Sequence, residues 1–168
     1  MKYCLPLIVD NVQEVRDQIA SAPEYDLYEV WLDYLNDWND KEITALCEEY
    51  GSKLLCLFRR LNLESPKKKF DERGVLLDLL LDLDVVVDLD ITTQREELER
   101  IGERKATLLT SYHNYERTPS LDELLKIFDG MLEFQPDIIK FSTFCERERD
   151  AVLLLELLLE LRERYDRV

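Results

Sequence analysis

The stretch Lys105-Ala106-Thr107-Leu108-Leu109-Thr110-Ser111-Tyr112-His113, with the segment Ser120 to Met131 and the run Asp137-Ile138-Ile139-Lys140-Phe141-Ser142-Thr143-Phe144 behind it, decides the fold. A short apolar run, a helical segment opened by Pro119-Ser120 with Glu123 downstream, and a second short apolar run spell strand, helix, strand. The alternation extends back to the start of the chain. Lys2 to Val9, Asp26 to Leu35, Lys53 to Arg59 and Asp84 to Ile91 read as strands. Asn11 to Ser21, Lys41 to Tyr50 ahead of Gly51, Asp71 to Leu81, and Thr93 to Glu103 with Thr92 or Thr93 as its cap read as helices, and Glu146 to Arg164 reads as a long last one. Six βα units predict an α/β protein: a parallel sheet covered by helices, doubly wound or closed into a barrel.

Length and charge narrow the classes. At 168 residues the chain suits a single domain, residues 1–168, with a sizeable core. A net charge of -15 opposes general binding to nucleic acid or to an anionic membrane, since both need clustered cations. The Ala151 to Leu161 run is too short, and carries Glu156 and Glu160, so it cannot span a bilayer. Cys4, Cys47, Cys56 and Cys145 form no CxxC and have a single histidine for company, so they read as reduced core thiols rather than zinc ligands. The N-terminus, broken by Pro6 and followed by Asp10, is unlike a signal peptide, and a cytoplasmic location is expected. No GxGxxG or Walker sequence follows the first strand, and no cofactor is called for.

Barrel chemistry fits better. On the second strand Tyr28, Val30 and Leu32 point one way and Glu29, Trp31 and Asp33 the other; on the sixth, Ile139 and Phe141 oppose Ile138, Lys140 and Ser142. Arg59 ends the third strand, Asp88 and Asp90 share a face of the fourth, and Ser111 and His113 share a face of the fifth. Ionisable groups at strand ends are where barrel enzymes work. A histidine side chain can exchange protons near neutral pH, and Lys140 sits among apolar neighbours, so His113 and Lys140 suit a proton shuttle and an amine nucleophile for imine chemistry on a ketone. Taken singly, each has a plainer reading: a satisfied strand-end histidine, and a lysine reaching to water. The run Lys67-Lys68-Lys69 reads as a solvated loop.

In order and spacing these strands resemble the type I 3-dehydroquinate dehydratases, the Schiff-base enzymes of the shikimate pathway. Glu29-Val30-Trp31-Leu32-Asp33 resembles the family's E-x-R-x-D strand, Leu54-Leu55-Cys56-Leu57-Phe58-Arg59 its L-L-x-T-x-R strand, and Val87-Asp88-Leu89-Asp90 its V-D-[IL]-E strand. Ser111-Tyr112-His113-Asn114-Tyr115 with Thr118-Pro119 resembles S-x-H-[DN]-F-x-x-T-P, and Asp137-Ile138-Ile139-Lys140 resembles D-[IV]-x-K. The resemblance implies a (β/α)8 TIM-barrel type of fold with six units present, and aromatic amino acid biosynthesis as its setting. It implies dehydration of 3-dehydroquinate to 3-dehydroshikimate, with Lys140 forming an imine and His113 moving the protons. Lys140 has to be neutral to attack, and burial with cations such as Arg59 nearby is what would keep it so. Glu29 and Arg59 are similar to residues that hold substrate hydroxyls, while Asp90 and Asn114 would support the imidazole.

The departures carry expectations too. Trp31 stands where the family has arginine, Asp90 is one methylene shorter than the family's glutamate, and Leu63-Glu64-Ser65-Pro66 replaces Glu-Gly-Gly. The family's last two strands, its substrate-gripping S-R arginine and its P-G-Q lid have no counterpart before Val168. Two uncovered strand edges and a leucine-rich last helix then predict self-association into a homo-oligomer. The alternative to catalysis is a non-catalytic remnant serving as an interaction or assembly module. A barrel aldolase is the third reading, and the motif order opposes it.

Overall fold

This computed structural model describes residues 2–36, 39–58 and 70–165. Among them six strands alternate with six α-helices: β1 (Cys4–Leu7), α1 (Val12–Ser21), β2 (Leu27–Trp31), α2 (Asp40–Tyr50), β3 (Leu54–Leu57), α3 (Phe70–Leu81), β4 (Val86–Asp90), α4 (Arg95–Glu99), β5 (Thr107–Asn114), α5 (Leu121–Leu132), β6 (Ile138–Thr143) and α6 (Glu148–Arg164). Helix starts follow local chemistry. The Asn11 side chain accepts from the Glu14 amide at 2.9 Å ahead of α1, and Asn39 with Glu42 and Ser120 with Glu123 form reciprocal capping boxes on α2 and α5. Gly51 ends α2 at φ 55°, a conformation that a side chain disfavours.

Several predicted elements are shorter than their sequence pattern, two of them for a visible local reason. β2 stops at Trp31 because Leu32–Tyr34 tighten into a 3-10 turn. The fourth helix covers Arg95–Glu99 rather than Thr93 to Glu103, and Thr92 and Thr93 are not its cap; Gln94 occupies that position, and the threonines donate backward to Asp90. The expectation of core thiols is also corrected in part. Cys47 and Cys56 are buried, whereas Cys4 and Cys145 are exposed, because β1 opens the chain and Cys145 lies in the turn between β6 and α6. The hydrogen bond between the free thiols of Cys47 and Cys56, together with burial, pushes the Cys56 thiol well up, which keeps it inert.

The chain forms two compact units. The first gathers Met1–Asp88 and Ile101–Thr107. Here β1, β2, β3 and β4 pair in parallel, with Val30 beside Cys56 and Cys56 beside Val87. All four residues of β3 and the Val86–Asp88 part of β4 are buried, as expected of parallel strands covered on both faces. Val15 of α1, Ile43 of α2 and Leu80 of α3 are fully buried, each removing an aliphatic side chain from water for about 1.5–3 kcal/mol.

The second unit comprises Leu89–Arg100 and Leu108–Val168. In it β5 and β6 pair in parallel, Ser111 beside Lys140 and His113 beside Ser142. Asp137 ties their starts together: its carboxylate accepts from the Leu108 amide at 3.0 Å and its own amide donates to Leu108 at 2.8 Å. Tyr112 and Ile139 pack with Leu124, Phe128 and Met131 of α5 and with Leu157 and Leu161 of α6. Strand alternation then sends Ser111, His113, Lys140 and Ser142 to the opposite face. α6 buries Leu157 and Leu161, yet leaves Val152, Leu155 and Leu159 at 50%, 60% and 68% exposure, more apolar surface than one packed stripe produces. Among the described residues no helix is long and apolar enough to cross a membrane.

Candidate active site

The end of β4 supplies a carboxylate with no access to water. Asp90 is fully buried, an arrangement that costs several kcal/mol for an isolated ion and is tolerated when hydrogen bonds replace the lost water. The turn after β4 provides them. Asp90 Oδ1 accepts from the Thr92 amide (3.0 Å), the Thr92 hydroxyl (2.6 Å), the Thr93 amide (3.0 Å) and the Thr93 hydroxyl (3.1 Å). Gln94 closes the turn from both sides, its Oε1 accepting from the Asp90 amide at 3.0 Å and its amide donating to the Asp90 carbonyl at 2.9 Å.

The other oxygen, Oδ2, meets His113 Nδ1 at 3.0 Å. A carboxylate only accepts, so Nδ1 carries a proton, and in the neutral ring Nε2 then keeps its lone pair, the tautomer needed for a general base. The imidazole is itself 6% exposed, and Tyr115 meets it edge-on with ring centroids 6.3 Å apart. On the adjacent strand Lys140 lies beside Ser111, two residues before His113 and on the same face. Lys140 is half-buried; an apolar cleft of about 650 Å³ runs along β6 between Ile138, Ile139, Lys140 and Phe141 and the leucines of α6, and its lining does not include His113 or Asp90. The imidazole and the amine thus sit on neighbouring strands of one unit.

Asn114 has a different task from the one expected beside a catalytic histidine. Its Oδ1 accepts from the amides of Glu116 and Arg117, both at 3.0 Å, and its Nδ2 donates to the Tyr112 hydroxyl at 3.1 Å. The imidazole Nδ1 is bonded instead to the Asp90 carboxylate. Glu29 belongs to the first unit, where its carboxylate accepts from the Trp31 indole at 2.9 Å, so the residue in the family's arginine position still engages Glu29 as a neutral donor. Arg59, Glu64 and Lys67 to Lys69 lie outside the described residues. Thr92, Thr93, Gln94 and Tyr115 were not legible as parts of this site, although Asp with Thr two and three places later is a recognisable turn signature. Among the described residues no group of three or more His, Cys, Asp or Glu side chains is placed to hold a metal.

The profile of the family described as Type I 3-dehydroquinase matches residues 3–168. The chain belongs to the type I 3-dehydroquinase family. It is 29% identical over 165 residues to the 3-dehydroquinate dehydratase of Methanothermobacter thermautotrophicus, spanning 94% of this chain and 72% of that one. The enzyme of the same name from Methanococcus maripaludis strain C6 is 30% identical over 164 residues, spanning 92% of this chain and 72% of that one. Solved family structures share the fold. The type I 3-dehydroquinate dehydratase of Clostridium difficile, with covalently modified comenic acid, superposes with a TM-score of 0.80 over 99% of this chain and 72% of its own at 22% identity. The 3-dehydroquinate dehydratase of Aquifex aeolicus does so with a TM-score of 0.75 over 94% and 74% at 21% identity. The α/β architecture of six parallel βα units is therefore that of the type I 3-dehydroquinases, barrel-type proteins of which this chain spans somewhat under three quarters.

Proposed function

We propose that this chain is a dehydratase acting on 3-dehydroquinate, with Lys140 as the imine-forming amine and His113 as the proton shuttle. Neutral Lys140 attacks the C3 ketone, and loss of water leaves an iminium that serves as the electron sink. His113 Nε2 takes a proton from C2, giving the enamine, and the resulting imidazolium returns that proton to the departing C1 hydroxyl, which leaves as water. Hydrolysis of the imine frees 3-dehydroshikimate and Lys140. Glu29 holds a substrate hydroxyl, as does Arg59.

The observation that carries this reading is the buried Asp90–His113 pair at 3.0 Å, with His113 on the strand next to that of Lys140, since it presets the imidazole for proton removal. Family membership supplies the substrate class. Borohydride added with 3-dehydroquinate is expected to reduce the imine and leave the adduct on the peptide containing Lys140. An adduct spread over Lys67 to Lys69 instead would overturn the assignment. The four cysteines are free thiols, which fits a reducing compartment such as the cytoplasm.

Self-association belongs to the same proposal. Val152, Leu155 and Leu159 form an exposed apolar row on α6, of the kind that marks interaction surfaces. Light scattering should report an oligomer that Leu155→Glu with Leu159→Glu dissociates, and a stable monomer of the unaltered chain at micromolar concentration would contradict it.

A further inference from the structure

We infer that Thr92 and Thr93 are positioning residues that hold Asp90 Oδ1 so that Oδ2 faces His113, an inference that rests on His113 being the proton shuttle. Asp90 Oδ1 accepts from four donors of two consecutive residues, the hydroxyls at 2.6 and 3.1 Å and the amides both at 3.0 Å. With Oδ1 so held, the carboxylate plane is set and Oδ2 points to Nδ1. The hydroxyls, approaching the same oxygen from the side chains, double the donors that the backbone amides give it and tighten the orientation of the plane, and they do so at a fully buried carboxylate. The threonines thus control which ring nitrogen carries the proton while touching neither imidazole nor substrate.

Because His113 is the sole histidine in the sequence, the two ring nitrogens can be read directly by nitrogen-15 NMR, independently of activity. At a pH where the ring is neutral, the unaltered chain is expected to show Nδ1 protonated and Nε2 bare. Thr92→Val with Thr93→Val should give a mixture of both tautomers, together with a kcat about tenfold lower and a KM within about twofold, the pattern of a misaligned base rather than weaker binding. Thr92→Ser with Thr93→Ser keeps both hydroxyls and should restore the ring signals and kcat. If the double valine variant does not fold, Thr92→Val alone carries the readout, since it removes the shorter bond. A valine variant that keeps the unaltered ring signals and kcat overturns the inference. If the unaltered chain shows no turnover, the functional reading fails, and the ring signals still decide the role of the threonines.

Discussion

Two turns in the second unit are built alike and end differently. After β4, Asp90 Oδ1 accepts from the amides two and three residues ahead; after β5, Asn114 Oδ1 does the same, all four bonds at 3.0 Å. What distinguishes them is the spare atom. Asp90 has a second acceptor oxygen and spends it on His113, whereas Asn114 has a donor nitrogen and spends it on the Tyr112 hydroxyl. A turn of this kind is a local device, available wherever Asp or Asn meets the right two amides. Its chemical use depends on charge and on what lies across the sheet.

Breaking the partner of the charged turn should have the largest effect. His113→Ala is expected to lower turnover by about 10²–10⁴-fold, the usual worth of a positioned acid and base, while borohydride still traps an imine on Lys140. Full turnover in that variant would make the histidine structural. Next comes converting the first turn into the second. Asp90→Asn keeps the Oδ1 bonds but turns an amide toward Nδ1, so the ring must accept there and carry its proton on Nε2. We expect kcat to fall by about 10²-fold or more with the fold intact, measured by steady-state kinetics and by the ring-nitrogen signals.

The neutral turn should be cheaper to break. Asn114→Ala is expected to cost about 1 kcal/mol of stability in a denaturant melt and to leave kcat within a few-fold, because the lost bonds close a turn and touch no reacting group. A kcat loss equal to that of Asp90→Asn would erase the distinction between the turns. The smallest effect concerns the helix that the neutral turn leads into. Arg117 grips Glu123 with bonds of 2.8 and 3.2 Å, and with the Ser120 cap it brings the Glu123 carboxyl down to about 2. A carboxyl lowered in the folded state favours folding above its ordinary value of 4.5, and that contribution is lost as pH falls through about 2. Protection factors at Leu121 to Leu124, taken after correction for the intrinsic pH dependence of amide exchange, should therefore fall as pH drops through this window, and Glu123→Gln should abolish that fall. The side chain is 47% exposed, so the effect is small and screened by salt.

The caps show how far local sequence reaches. Ser120 with Glu123 was readable because donor and acceptor lie three residues apart, and α5 begins where that pair places it. Thr92 and Thr93 carried an equally strong capping signal and do something else, because a threonine hydroxyl can serve the helix ahead or the carboxylate behind, and the burial of Asp90 decides between them. Cys4 and Cys145 looked like core residues on composition, yet exposure follows from where a strand begins and a turn falls.

By itself the sequence determined the strand and helix alternation, the family, and the candidacy of His113 and Lys140, since periodicity, capping and motif order all lie along the chain. Tertiary structure decided that Asp90 and His113, 23 residues apart, meet at 3.0 Å, that Asn114 turns away to its own loop, and that Lys140 falls beside Ser111. The physical reason is register. A parallel strand offset by one residue would send His113 or Lys140 to the helix-covered face, and that choice is made by the packing of Tyr112 and Ile139 against α5 and α6 rather than by any local rule.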